Sequence, residues 1–318
     1  MKSKILFLIV GSVLTSALAA AEDEDKPKTT PNKIPGATVT ITAEADSVEV
    51  AKTPNPVIVV DADKIARTGA NSLTRLLEYV FPSRAVPLGG PGTQTSLFIN
   101  GARSQDTVVM IDGIRVTDTN LGLNMSNFGL TGIDRVEILL GPASTLYGSD
   151  AHGGVVSMSS APPSEAGLSG HVLAQAGTLG QTRAGAMASY SWGTGWAQGA
   201  GDAEQSPSSI KTDLPYRQSA GHISIGQQLG DSWLVKLNHR SNYIGAPTPF
   251  DTDTGWPSGR LFDKGREALV WQSITTASVR GAFSDSIYAE VNFGSIGQEN
   301  YNNANVTNSN TYSSPSHP

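Results

Sequence analysis

The run Thr38-Val39-Thr40-Ile41-Thr42 is built wholly of β-branched residues. It sits between a proline-bearing linker and the acidic segment Glu44 to Glu49. A strand former in such surroundings can offer its main-chain N–H and C=O groups to another protein's sheet edge, where backbone hydrogen bonds carry the affinity. The same run would serve as an edge strand of the domain that follows. A second set, Asp251-Thr252-Asp253-Thr254-Gly255, has the aspartate spacing that opens a calcium loop, but no closing glutamate follows. Solvated loop acids explain it as well. His152, His171, His222, His239 and His317 lack the spacing of a metal motif. Neither a GxGxxG nor a phosphate loop is present, because Gly89-Gly90-Pro91-Gly92 lacks the later glycine and lysine. With no Gly-x-Ser-x-Gly elbow either, the chain reads as a non-enzyme whose chemistry is binding.

The elements around these residues divide the 318-residue chain into segments. Met1-Lys2-Ser3-Lys4 is basic, an apolar stretch follows, and small residues at Ala17, Ala19 and Ala21 precede four acids, which predicts a signal peptide over 1–21. The apolar stretch is shorter than the roughly 20 residues a membrane anchor needs. Residues 22–36 are a polar linker with Pro27, Pro31 and Pro35, too polar to bury a core. Cysteine is absent, which excludes disulfides and cysteine-held metals. The net charge of −6 becomes more negative once Lys2 and Lys4 are removed, so a nucleic-acid partner is not expected. Hydrophobic residues make up 38% and glycines number 34, a composition for strands and turns rather than a helical bundle.

From Pro56 to Ser160 the pattern predicts a small α+β domain. Val57 to Val60 reads as a buried strand. Asp61 is placed to cap a helix ending near Gly69, and Asn71 or Ser72 to cap the next. Leu73, Leu76, Leu77 and Val80 share one helical face. Ser83 to Thr95 reads as a Gly/Pro-rich loop, Ser96 to Ile99 as a short strand, and Thr117 to Gly129 as a second loop. Asp112-Gly113 between Val108–Ile111 and Ile114–Val116 signals a hairpin, since both turn positions need positive φ. Val136, Ile138 and Leu140 alternate. A short helical turn follows Pro142 and ends at Gly148, and Gly153-Gly154 leads into Val155 to Met158.

After Pro162-Pro163 the chain becomes a series of alternating strands. Ala184, Ala186, Ala188, Tyr190 and Trp192 share a face. Trp233, Val235 and Leu237 share another, opposite Lys236, Asn238 and Arg240. Leu269, Trp271, Ala277, Val279 and Phe283 form a third, and Ile287, Ala289, Val291 and Phe293 a fourth. Tight turns such as Gly230-Asp231-Ser232 alternate with long polar stretches, read as loops, at Gly193 to Tyr216, Gly245 to Arg266 and Gly297 onward. That asymmetry, with aromatics at strand ends, is the pattern of an outer-membrane barrel. A secreted β-sandwich shows the same alternation.

Several of these stretches resemble TonB-dependent outer-membrane receptors. Ala37-Thr38-Val39-Thr40-Ile41-Thr42-Ala43 is similar to the Ton box, Ser96 to Val116 to the central plug hairpin, and Arg135 to Met158 to the motif that closes the plug. The form Tyr147-Gly148-Ser149-Asp150-Ala151, continued by Gly153-Gly154-Val155-Val156, resembles the cobalamin-receptor branch. The resemblance implies a Ton box over 37–43, an α+β plug domain over 44–160, and antiparallel transmembrane β-barrel strands over 161–318, an incomplete 22-stranded barrel. It implies uptake of cobalamin or a ferric siderophore, with TonB pairing to Thr38, Val39, Thr40, Ile41 and Thr42 from the periplasm and outer-membrane lipid around the strands. Substrate would meet two plug loops, at Pro87, Gly89, Gly90 and Thr93 and at Asn120, Asn124 and Ser126. Calcium in outer loops of the cobalamin branch would make Asp251 and Asp253 candidate ligands, with Asp202 and Asp213 in comparable loops; no other cofactor is implied. The family usually places arginines at the positions of Asn100 and Leu140, where they pair with barrel glutamates and latch the plug. A non-transporting surface module, such as an adhesin or a phage or colicin docking site, is the alternative function, and it would need no Ton box.

The residues after Ser160 suffice for about eight strands at roughly 20 residues per strand and connection. A barrel of about eight strands has an interior only wide enough for side chains. The expectation is therefore part of a longer receptor.

Overall fold

The computed structural model describes residues 40–41, 48–49, 56–80, 85–87, 91–116, 125–177, 180–207, 214–247, 266–284 and 287–304. All of them fall in the larger of two compact units, Pro35–Pro318. Strand β1 (Thr40–Ile41) pairs antiparallel with β2 (Val48–Glu49), so Ile41 lies opposite Val48, in a sheet separate from all others.

The α+β layer begins with β3 (Val57–Asp61), which is an edge strand with Val60 buried rather than wholly buried as its apolar run suggests. Asp61 caps α1 (Ala62–Thr68) by accepting the Lys64 amide at 2.8 Å, and Gly69 closes it at φ 65°. Such a cap stabilises by about 1 kcal/mol. Helix α2 (Leu73–Val80) turns Leu73, Leu76 and Leu77 into the core, each with no exposed surface. The predicted loop from Ser83 contains a strand: β4 (Ala85–Pro87) pairs with β5 (Thr95–Leu97). Strand β6 (Thr107–Ile111) turns at Asp112 (φ 47°) and Gly113 (φ 82°) into β7 (Ile114–Arg115), the hairpin expected from Asp-Gly. Strand β8 (Arg135–Leu140) is central and buried on both faces, which the reading of a one-sided alternation missed: Val136, Ile138 and Leu139 are covered, and so is Glu137, bonded to Arg135 at 2.5 Å. A four-residue helix α3 (Ser144–Tyr147) leads to β9 (Gly154–Ser159). The five-stranded order is β3-β8-β9-β6-β7, parallel only between β6 and β9.

Seven antiparallel strands follow in chain order: β10 (Gly167–Ala176), β11 (Thr182–Ser191), β12 (Gly195–Ser206), β13 (Tyr216–Leu229), β14 (Trp233–Pro247), β15 (Arg266–Ser284) and β16 (Ile287–Ala304). Two stretches read as loops are strands. Gly195–Ser206 is β12, and β16 continues past Gly297 to Ala304. In β12 the outward positions are Ala197, Gly199, Gly201 and Ala203, so no apolar period marks the strand; its inward positions are Gln198, Asp202 and Glu204. Connections are short between β11 and β12, β13 and β14, and β15 and β16, and long between β12 and β13 and between β14 and β15.

The polarity of this sheet is the reverse of a soluble one. Leu168, Val172, Ile223, Leu237, Trp271 and Phe293 point outward and are exposed, whereas Gln198, Gln218, Ser224, Asn238, Asn242 and Thr276 are buried on the inner face. A curved sheet with apolar residues outside and polar residues inside suits a hydrocarbon surround and a polar lumen. Among the described residues no helix is long and apolar enough to cross a membrane, a fact that bears only on helices.

Gly132 shows how closely the two layers meet. Its φ is +66°, and a Cβ there would stand 2.0 Å from Nδ1 of the buried His222 on β13. Left-handed backbone alone costs a non-glycine residue about 1–3 kcal/mol, and His222 would also have to move. Gly132→Ala is expected to lower the thermal midpoint in detergent well beyond Gly230→Ala, whose φ of +62° has nothing within 4 Å of the added Cβ.

Candidate functional site

The first region of interest lies at the start of β13. A cavity of about 170 Å³ is lined by Ser72, Arg75, Glu78, Pro87, Ser126 and Tyr216 among others. Helix α2 supplies Arg75 and Glu78, β4 supplies Pro87, and the start of β13 supplies Tyr216. Two residues predicted for separate substrate loops, Pro87 and Ser126, thus line one space. Ser126 also donates to the Gly92 carbonyl at 3.3 Å, which ties the second loop to the first. Thr93 is half-buried beside them. Gly89, Gly90, Asn120 and Asn124 lie outside the described residues, as do Thr38, Val39, Thr42, Asp213, Asp251 and Asp253.

Beneath this cavity a polar network joins the inner layer to the strands. Arg75 reaches Glu204 at 2.9 Å, and Glu204 is only 3% exposed. Gln181 donates to the same carboxylate at 2.7 Å. Asn71, one of the two residues placed to cap α2, donates across to Glu204 and to Gln218, the latter at 2.9 Å. Tyr216 donates to Gln218 at 2.8 Å, Gln218 to Asn242 at 3.2 Å, and Asn242 to the Asn127 carbonyl at 2.7 Å. Asp202, expected in an outer loop, lies inside β12 and pairs with Arg183 at 2.7 Å, so it is a lumen ion pair rather than a loop ligand. Arg183 in turn donates to the Gly69 carbonyl at 2.9 Å. Among the described residues no cluster of acids and histidines could hold a metal.

The second region lies toward the short-turn end. Asp112, at the tip of the β6–β7 hairpin, accepts the Ser160 amide and hydroxyl, each at 2.8 Å. Lys236 and Arg240 of β14 stand 3.6 and 3.5 Å from its two oxygens. Lys236 also donates to the Ser160 carbonyl at 2.5 Å, and Arg240 donates to the Thr131 and Gly132 carbonyls at 2.6 and 2.8 Å. Burial would push the Asp112 carboxyl up, but Arg240, Lys236 and the Ser160 bonds outweigh it and hold the group below the ordinary carboxylate range. Asp134 nearby goes the other way: burial raises it, against one bond from the Ala161 amide at 2.7 Å. The hairpin tip, the loop at 131–134 and the end of β9 are thereby gathered on one strand.

Asn100 and Leu140, where the resembling family usually has arginines, carry no charge; among the described residues Asp112 stands between two strand cations, Lys236 and Arg240. Sequence reasoning placed Lys236 and Arg240 opposite the apolar face, which marks them as lumen residues. It gave no partner for them, because nothing in Asp112-Gly113 beyond a turn signal says that the aspartate is also an ion-pair acceptor.

Residues 49–155 match the family model of the TonB-dependent Receptor Plug Domain. The chain is 32% identical over 214 residues to the Vitamin B12 transporter BtuB of Photobacterium profundum, an alignment covering 64% of this chain and 34% of that protein. BtuB of Vibrio cholerae is 30% identical over 159 residues, covering 50% of this chain and 25% of its own length. The chain therefore spans about a third or less of these curated relatives. Among solved structures, the ferripyoverdine receptor of the outer membrane of Pseudomonas aeruginosa superposes with a TM-score of 0.65 at 16% identity, over 89% of this chain and 40% of the receptor. The siderophore receptor PiuA of Acinetobacter baumannii gives 0.61 at 21% identity, over 83% of this chain and 40% of that one. At such identities the superpositions speak to the fold alone: a plug inside an incomplete β-barrel.

Proposed function

We propose, from the premise that this chain carries the plug domain and first barrel strands of a TonB-dependent receptor, that it serves energised uptake of a scarce nutrient across the outer membrane of a Gram-negative bacterium. Cobalamin stands first as substrate, since the sequence relatives are vitamin B12 transporters; a ferric siderophore stands second. The carrying observation is the cavity that joins Pro87 and Ser126 of the two plug loops to Tyr216 of the barrel wall. A ligand seated there touches plug and wall at once. On this reading residues 1–21 direct export, outer-membrane lipid covers the apolar outer face, and Thr38 to Thr42 pair with TonB by strand addition.

Equilibrium binding to outer membranes that contain the product of the intact gene tests the substrate side. Cyanocobalamin should bind without any energy source. A ferric siderophore binding in its place would move the substrate assignment, and the absence of binding by either would contradict the uptake reading.

A further inference from the structure

The cavity wall carries one basic and one acidic group among the described residues that line it, Arg75 and Glu78. Arg75 is already matched by the buried carboxylate of Glu204, which Gln181 and Asn71 also hold. The remaining described lining is uncharged, with the hydroxyls of Ser72, Thr95, Ser126 and Tyr216 among it.

Resting on the uptake reading, we propose that this site discriminates by charge, taking uncharged hydrogen-bonding ligands and rejecting polyanionic iron chelates. Anion recognition needs a cation whose charge is not already neutralised, and bidentate arginine is the usual device. Here the one lining arginine spends its charge on Glu204. A ligand with three negative charges would meet the Arg75–Glu204 pair, whose charges cancel, and the uncompensated Glu78 on the wall. A neutral ligand loses nothing by this and gains hydroxyl partners.

The test compares three probes on outer membranes containing the product of the intact gene: cyanocobalamin, a neutral ferric trihydroxamate and a ferric tris-catecholate of charge −3. At low salt the tighter of the two neutral probes should bind at least about tenfold better than the trianion, and raising the salt should narrow the gap, because charge exclusion is screened while a steric misfit is not. Removing one carboxylate, by Glu204→Gln, frees Arg75 and should raise the trianion-to-neutral affinity ratio by about tenfold, the effect of roughly one unit charge at short range in a partly wet site. Should that buried change prevent folding, Glu78→Gln, at an exposed position, should raise the same ratio by a few fold. A trianion that binds as tightly as the neutral probes, or a gap indifferent to salt and to both variants, would overturn the proposal and leave the uptake reading standing. Failure of all three probes to bind would sink the uptake reading, and this proposal with it.

Discussion

Asp112→Asn is expected to loosen the plug from the barrel wall by about 3–5 kcal/mol, the range for removing one partner of a buried ion pair and stranding the other. Two cations lose their carboxylate here and keep only carbonyl partners, Ser160 for Lys236 and Thr131 and Gly132 for Arg240. Arg240 is 8% exposed, and Lys236 stands beside it on the same inward face. Asparagine is the informative replacement, because the backbone at 112 has φ 47° and asparagine tolerates that region where alanine would add strain. Asparagine can still accept from Ser160, so the loss isolates the charge. Lys236→Met in the same chain should recover part of the stability by removing one of those cations. Thermal unfolding in detergent and protease sensitivity of the plug in native membranes report the effect. Wild-type stability in both variants would mean that the pairs at 3.5 and 3.6 Å carry no weight.

The same cluster sets a pH dependence whose sign follows from the direction of each shift. The Asp112 carboxyl lies below its ordinary value, so its contribution is fully present above the ordinary carboxylate range and fades as pH falls through the lowered value. The Asp134 carboxyl lies above its ordinary value, so protonating it relieves a cost and favours docking on mild acidification. Docking should therefore hold or tighten as pH first falls and collapse only below the ordinary carboxylate range. Asp112→Asn should remove the part of that acid loss that Asp112 contributes.

On the uptake reading, energised uptake should fall to the level of cells lacking TonB when Ile41→Pro is introduced, while ligand binding to isolated membranes stays unchanged. Proline removes the main-chain donor and fixes φ, which strand pairing does not tolerate at a paired position. Thr40 and Ile41 are already extended and paired with Val48 and Glu49, so the backbone is in the geometry that strand addition uses. Ile41→Thr keeps that geometry and should retain most uptake, because main-chain bonds rather than side chains carry the pairing. Equal uptake by the proline variant and the parent would remove 38–42 as the coupling segment.

Much of the plug was legible because its signals are local. Asp61 and Gly69 bound a helix through a cap and a left-handed residue, Asp112-Gly113 forms a turn that few other pairs allow, and three leucines at helical spacing define a core face. The barrel was legible only where outward residues are large. Strand β14 shows Trp233, Val235 and Leu237, but β12 turns alanine and glycine outward, and its polar inner face reads as loop. The site was half legible. Pro87 and Ser126 followed from loop composition and resemblance, whereas Arg75, Glu204 and Gln218 come together from α2, β12 and β13, a convergence no local pattern encodes. Asn71 illustrates the difficulty: its type suits a helix cap, and tertiary contacts with Glu204 and Gln218 claim its side chain instead.

The most direct test of a plug seated against β13 and β14 uses the absence of cysteine from the chain. A Cβ at Gly129 would lie 3.5 Å from that of Ala220 on β13, a separation a disulfide can bridge. Gly129→Cys with Ala220→Cys should cross-link on mild oxidation in native outer membranes, and non-reducing electrophoresis after cleavage between plug and barrel should recover the two parts joined. Thiols that stay free under the same oxidation would contradict the docking described here.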